Sequence, residues 1–121
     1  MELHKIKKEE LDKILELHKL WLSSGGEKGE RADLHAADLR WADLRWADLD
    51  FSAFPLWCGG LNVNIDDRIA TQILYHLIRN VKYSKNTSAK LKKLCGLKSL
   101  VKQANKFHRV EECGEIKDES N

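Results

Sequence analysis

The spacing of apolar residues changes three times along the chain, and each change marks an element. Leu3, Ile6, Leu11, Ile14, Leu15, His18, Trp21 and Leu22 recur at steps of three and four, with Lys and Glu opposite. That spacing predicts an amphipathic helix over residues 2–22. Ser23-Ser24-Gly25-Gly26 ends it, glycine being the residue that tolerates a left-handed cap. From Ala32 to Leu56 the period becomes five: ADLHA ADLRW ADLRW ADLDF SAFPL. A helix turns about 100° per residue, so leucines five apart would spiral around it. On a strand they would alternate faces. Only a chain that turns a corner every pentad can bury Leu34, Leu39, Leu44, Leu49 and Phe54 together. Helical spacing returns at Ile69, Ile73, Leu74, Leu77, Ile78 and Val81, predicting a second helix capped by Asp66 or Asp67 and ending near Val81. Ser88 caps a third helical stretch reaching Phe107, with Gly96 as a break or kink. From Glu111 onward the chain reads as a loose, acidic tail.

The tandem A-D-L-x-x motif resembles the pentapeptide-repeat family. That resemblance implies a right-handed quadrilateral β-helix in which four pentads make one coil. The central Leu or Phe would fill the axis, and Ala32, Ala37, Ala42, Ala47 and Ser52 would line it. Five pentads give little more than one coil. Trp57 is too large for the slot over Ala37, and Glu27 to Arg31 lacks the motif, so the coil stops at both ends and its backbone edges need cover. The expected fold class is α+β: a short quadrilateral β-helix flanked by an N-terminal helix and a helical C-terminal region. The expected segments are an N-terminal helix (1–26), the repeat and its exit loop through Gly59-Gly60 (27–64), a basic helical region (65–110) and the tail (111–121).

Charge sharpens this division. The net charge of +2 is the sum of unequal parts. Residues 1–31 balance at seven basic and seven acidic side chains. Residues 32–56 carry two Arg against five Asp, residues 57–110 eleven basic against two acidic, and residues 111–121 one Lys against five acids. Such segregation points to contacts between unlike segments or with charged partners. No apolar run is long enough to span a membrane and the N-terminus lacks a signal peptide's apolar core, so a cytoplasmic protein is expected. Three scattered cysteines fit a reducing compartment.

Catalytic chemistry finds no foothold. Cys58, His76, Cys95, His108 and Cys113 include no close Cys pair of the kind structural zinc sites use. No phosphate loop, nucleophile elbow or paired-carboxylate motif is present. No enzyme activity, metal or cofactor is expected. The outward positions of the repeat carry a different signal. Arg40, Trp41, Arg45 and Trp46, with Phe51 beyond them, have the composition of an interface centre, unless helices of the same chain lie over the aromatics. Asp38, Asp43, Asp48 and Asp50 would add negative field.

Short chains that join a few pentads to unusual helices are similar in style to small phage and prophage proteins. The resemblance implies a non-catalytic inhibitor, in the manner of an anti-CRISPR or other anti-defence protein, that binds a host protein or nucleoprotein complex in the host cytoplasm. It would occlude or mimic a nucleic-acid site, DNA mimicry being a known role of the family. Two alternatives stand beside it. One is direct nucleic-acid binding through Lys90, Lys92, Lys93, Lys98 and Lys102. The other is a structural homo-oligomer, such as a dimer stacked through the repeat.

Overall fold

The computed structural model describes residues 4–117, which divide into two compact units, Met1–Asp66 and Asp67–Asn121.

In the first unit, strand β1 (His4–Lys5) leads into helix α1 (Lys8–Ser23). The helix begins later than its apolar spacing predicts because the preceding backbone is engaged elsewhere. β1 pairs in parallel with β2 (Ala37–Asp38), and Ile6 N–H donates to the Asp38 carbonyl at 3.3 Å. The loop after α1 folds back on the helix, with Glu30 N–H donating to Leu17 O. Gly29 permits that approach: its φ is 70°, and a Cβ there would lie 2.2 Å from Leu17 O.

Residues 32–56 are a chain of turns. The N–H of Ala37, Ala42, Ala47 and Ser52 donates to the carbonyl of Leu34, Leu39, Leu44 and Leu49 respectively, at 2.8–3.0 Å. All four leucines are buried. The segment after them runs alongside the earlier pentads. Leu34 N–H donates to Ala53 O, Leu39 N–H to Gly59 O and Leu44 N–H to Asn64 O.

The expected quadrilateral β-helix is nevertheless not what forms. The described residues are mostly helical, the only strands are the two-residue β1 and β2, and no β-helix is present. The physical reason lies in copy number and corners. Apart from the Ala37 pentad, which has β1 beside it as well as residues 59–62, pairing stops at single bridges such as Asp33 with Ala53 and Asp43 with Asn64. Backbone at Trp41, Trp46 and Phe51 also leaves the extended region altogether, at φ of 69°, 71° and 64°.

One side chain joins α1 to the turns. His18 is fully buried; its Nδ1 accepts the Ala32 N–H at 3.0 Å, which leaves the proton on Nε2 to be donated to the Asp50 carbonyl at 2.8 Å. A buried histidine on an apolar stripe thereby satisfies two backbone groups that would otherwise be orphaned.

Among the described residues, the regular elements of the second unit are helices: α2 (Asp67–Tyr83), α3 (Ala89–Cys95), α4 (Lys98–Ala104) and α5 (Val110–Cys113). Its core joins Tyr75, Ile78, Val81, Cys95, Val101, Ala104, Phe107 and Ile116. Ser88 caps α3, its hydroxyl accepting the Leu91 N–H at 3.1 Å. The third helical stretch is two helices, broken at Gly96. The expected loose tail is ordered as far as Lys117, because Ile116 is core; residues 118–121 of that tail lie outside the described residues.

Candidate partner-binding groove

Each of the first four pentads closes its turn with its aspartate. One carboxylate oxygen of Asp33, Asp38, Asp43 and Asp48 accepts the backbone N–H two residues later, at 3.0–3.2 Å. This is the local hydrogen bond that makes Asp a turn residue. Where the residue two places on is arginine, its guanidinium folds back on the same carboxylate. Arg40 Nε and Nη2 donate to Asp38 at 2.9 and 2.6 Å, and Arg45 Nε and Nη2 donate to Asp43 at 3.0 Å each. Hydrogen bonding from Arg40 and Arg45 accordingly lowers Asp38 and Asp43 to a pKa of about 2. His35 does the same for Asp33, also pulling its pKa down.

These bonds change the expected roles of the acidic positions. Asp38 and Asp50 are buried rather than outward. Asp38 and Asp43 are neutralised within their own pentads. Arg40 and Arg45 are half-exposed yet committed at one end, so each offers a planar, charged edge fixed in orientation.

In the second, third and fourth pentads the next residue is an aromatic in left-handed backbone: Trp41, Trp46 and Phe51. Trp41 is 78% exposed and Trp46 90%. Their backbones are fixed nonetheless: Trp41 N–H donates to Asn62 O at 2.9 Å, and Trp46 N–H to an Asp66 carboxylate oxygen at 2.8 Å. Phe51, the third aromatic, packs edge-on to Trp21 with centroids 6.2 Å apart, and Trp21 stacks on His18. The three expected interface aromatics are thus unequal. Phe51 belongs partly to the α1 contact, whereas Trp41 and Trp46 project freely.

Between the two tryptophans and the N-terminal half of α1 runs a groove of about 770 Å³. Trp41, Arg45, Trp46 and Ala47 form one wall; Ile6, Leu11 and Leu15 form the other. Lys5, Lys7, Lys8 and Lys19 rim it, against Asp12, Glu16 and Asp48. Lys5 Nζ is tied to the Arg40 carbonyl at 2.6 Å and Lys8 Nζ to Asp12 at 3.2 Å. The result is an aromatic and aliphatic trough with a mainly basic lip, in the size range of binding clefts. The α1 wall was not legible as part of a site. Its apolar stripe reads as core, and nothing in the spacing shows that Leu15 stays partly uncovered.

Comparison with protein-family models, curated proteins and solved structures returns no match.

The lysines singled out for nucleic acid are dispersed over two helices. Lys90 and Lys93 are exposed on α3, and Lys98 and Lys102 on α4. Lys92 is withdrawn from solvent, its ammonium donating to the carbonyls of Val81, Lys82 and Ser84 at the end of α2. A cation there satisfies terminal carbonyls and opposes the negative end of the helix dipole. Among the described residues no group of three His, Cys, Asp or Glu is placed to hold a metal ion, and Cys58, Cys95 and Cys113 are unpaired. No helix of the described residues is long and apolar enough to cross a membrane.

Proposed function

We propose that this chain is a non-catalytic, cytoplasmic binding protein that docks through Trp41 and Trp46 onto a partner protein and occludes that partner's working surface. One observation carries the reading. Two indoles are held in left-handed backbone while almost fully exposed. Left-handed conformation costs a non-glycine residue about 1–2 kcal/mol, and exposure returns no burial energy. Neither term stabilises the fold, so the arrangement makes sense as preorganisation of rigid aromatic anchors for another molecule. Arginines clamped beside them supply oriented donors. The pairing of Asp38 and Asp43 with Arg40 and Arg45 withdraws two of the acidic positions from mimicry, which favours steric occlusion over nucleic-acid mimicry. An anti-defence role against a host complex is one setting in which such an inhibitor works, and the reading needs no cofactor.

The test is affinity capture from a host lysate with wild-type protein and with Trp41→Ala and Trp46→Ala, followed by mass spectrometry. A partner recovered by wild type and lost by both variants, with far-ultraviolet circular dichroism unchanged, is the expected result. Equal recovery by all three would remove the groove from consideration.

A further inference from the structure

The second unit holds its own C-terminal segment as a receptor holds a peptide. Residues 114–117 belong to no helix or strand, and they are fixed chiefly through their main chain. Tyr75 Oη donates to Gly114 O at 2.6 Å, Arg79 donates to Cys113 O, and Lys82 donates to Lys117 O. Asn105, at the end of α4, makes a two-way clamp: its Nδ2 donates to Ile116 O at 2.9 Å and its Oδ1 accepts Ile116 N–H at 2.8 Å. A single side chain of the segment is buried, Ile116 at 3% exposure among Ile78 and Val101. Glu115 shares a shallow depression with Lys98 and Lys102.

This division of labour is that of peptide recognition: main-chain bonds supply affinity and one apolar socket supplies selectivity. Charge agrees, since the tail from 111 carries five acids against one lysine while the α3 and α4 surface is lysine-rich. The segment enters through Gly114 at φ 101° and ψ 142°, backbone that is essentially restricted to glycine. α5, which precedes it, has no buried residue of its own.

We propose that the α2 and α4 face is a recognition groove for an extended acidic peptide of a partner protein bearing one aliphatic side chain. The chain's own residues 114–117 are its resident intramolecular occupant. An incoming peptide competes with that occupant, so affinity in trans depends on how firmly the resident segment is seated. The proposal does not depend on the tryptophan groove.

The test uses full-length protein and a fluorescein-labelled peptide of residues 110–121 with Ser in place of Cys113, read by fluorescence anisotropy. Gly114→Val is chosen to unseat the segment while leaving every side chain of the α2 and α4 face unchanged. A Cβ there meets nothing closer than Arg79 Nη1 at 3.8 Å, but the backbone angle is wrong for it. Gly114→Val is expected to bind the peptide about tenfold more tightly than wild type. Adding Asn105→Ala should forfeit about that much again, the worth of one or two hydrogen bonds. An Ile116→Asp peptide should not bind. Absence of binding to folded Gly114→Val, or binding indifferent to Asn105→Ala, overturns the proposal. A shift of Gly114→Val to dimer in equilibrium sedimentation assigns the groove to a second copy instead, and also overturns it. If Gly114→Val loses its helical signal, hydrogen exchange at the Ile116 amide of wild type decides. Saturating peptide should speed it about tenfold by displacing the segment, and unchanged exchange refutes the groove.

Discussion

An aspartate in this repeat does two jobs, and they respond differently to substitution. Its Oδ1 closes the turn by accepting a backbone N–H, and at Asp38 and Asp43 the carboxylate also pairs with arginine. Both groups sit at a pKa of about 2 in the folded chain against 3.8 for the free side chain. A lowered folded pKa means stability that is complete above the unfolded value and is lost as pH falls from near 3.8 toward about 2. The urea midpoint of wild type should therefore decline through that window. Asp38→Asn with Asp43→Asn keeps an acceptor for each turn and removes the charge, so its midpoint should be lower at neutral pH and should decline less steeply in acid. Parallel acid limbs for the two proteins would show that the pairs contribute nothing. The same geometry makes charge reversal at Asp43 or Asp48 a poor probe of mimicry, since a lysine there cannot close the turn. Tryptophan at the left-handed position invites the opposite experiment. Asparagine enters that conformation readily, so Trp46→Asn should leave the thermal midpoint unchanged or raise stability by about 1 kcal/mol while abolishing partner capture. A loss of stability instead would mean that the indole is a structural residue, and the functional argument would fail.

At the scale of elements, what could be read ahead followed from periodicity, and what could not followed from contacts distant in sequence. A period of five is incompatible with one buried face on either helix or strand, and Leu34, Leu39, Leu44 and Leu49 are indeed buried. The period does not dictate a β-helix, because burial of a repeat says nothing about whether its backbone finds enough partners to make strands. α1 starts later than its spacing predicts for a related reason: Lys5 and Ile6 carry helical spacing, but their backbone is claimed by β2 more than thirty residues away. Of the candidate site, the tryptophans and arginines were visible as composition. The self-pairing of Arg40 with Asp38 is legible in the D-L-R spacing, which sets the guanidinium two residues after the carboxylate. Ile116 hid in a segment whose acidity suggested disorder. Two leucines of the repeat make the lesson measurable. Leu39 is fully buried whereas Leu56, at the end of the last pentad, is 99% exposed. Leu39→Ala should cost about 2–5 kcal/mol, and Leu56→Ala should fall within about 0.5 kcal/mol of wild type. Chemical denaturation of the two variants checks it, and comparable losses would contradict the arrangement of the turns.

Over the whole molecule, charge is divided between the two units. Counting Lys and Arg against Asp and Glu, residues 1–66 carry a net −4 and residues 67–121 a net +6. A basic unit of this kind attracts any polyanion, so weak binding of duplex or RNA at low salt is expected whether or not it has a function. The physical question is how many phosphates can be engaged at once. Lys92 is occupied by the end of α2, Lys82 by the C-terminal segment, and Lys98 and Lys102 lie beside Glu115. Lys90 and Lys93 remain on α3, and Lys85 and Lys106 are exposed on two separate turns, so these cations are not lined up on one helix to follow a backbone. Few simultaneous contacts mean a shallow salt slope and low affinity, since each neutralised phosphate contributes roughly 0.9 to the slope of log affinity against log salt on duplex DNA. A gel-shift titration should then show a slope of about two or less, with no complex at micromolar protein in physiological salt. A slope of about five, or a complex that persists at that salt, would require the lysines of α3 and α4 to act together. It would move the proposed function from the tryptophan groove to the second unit. Repeating the titration with Lys90→Glu and Lys93→Glu separates the cases: loss of the low-salt complex accords with two loosely placed cations, whereas an unchanged slope places the contact elsewhere.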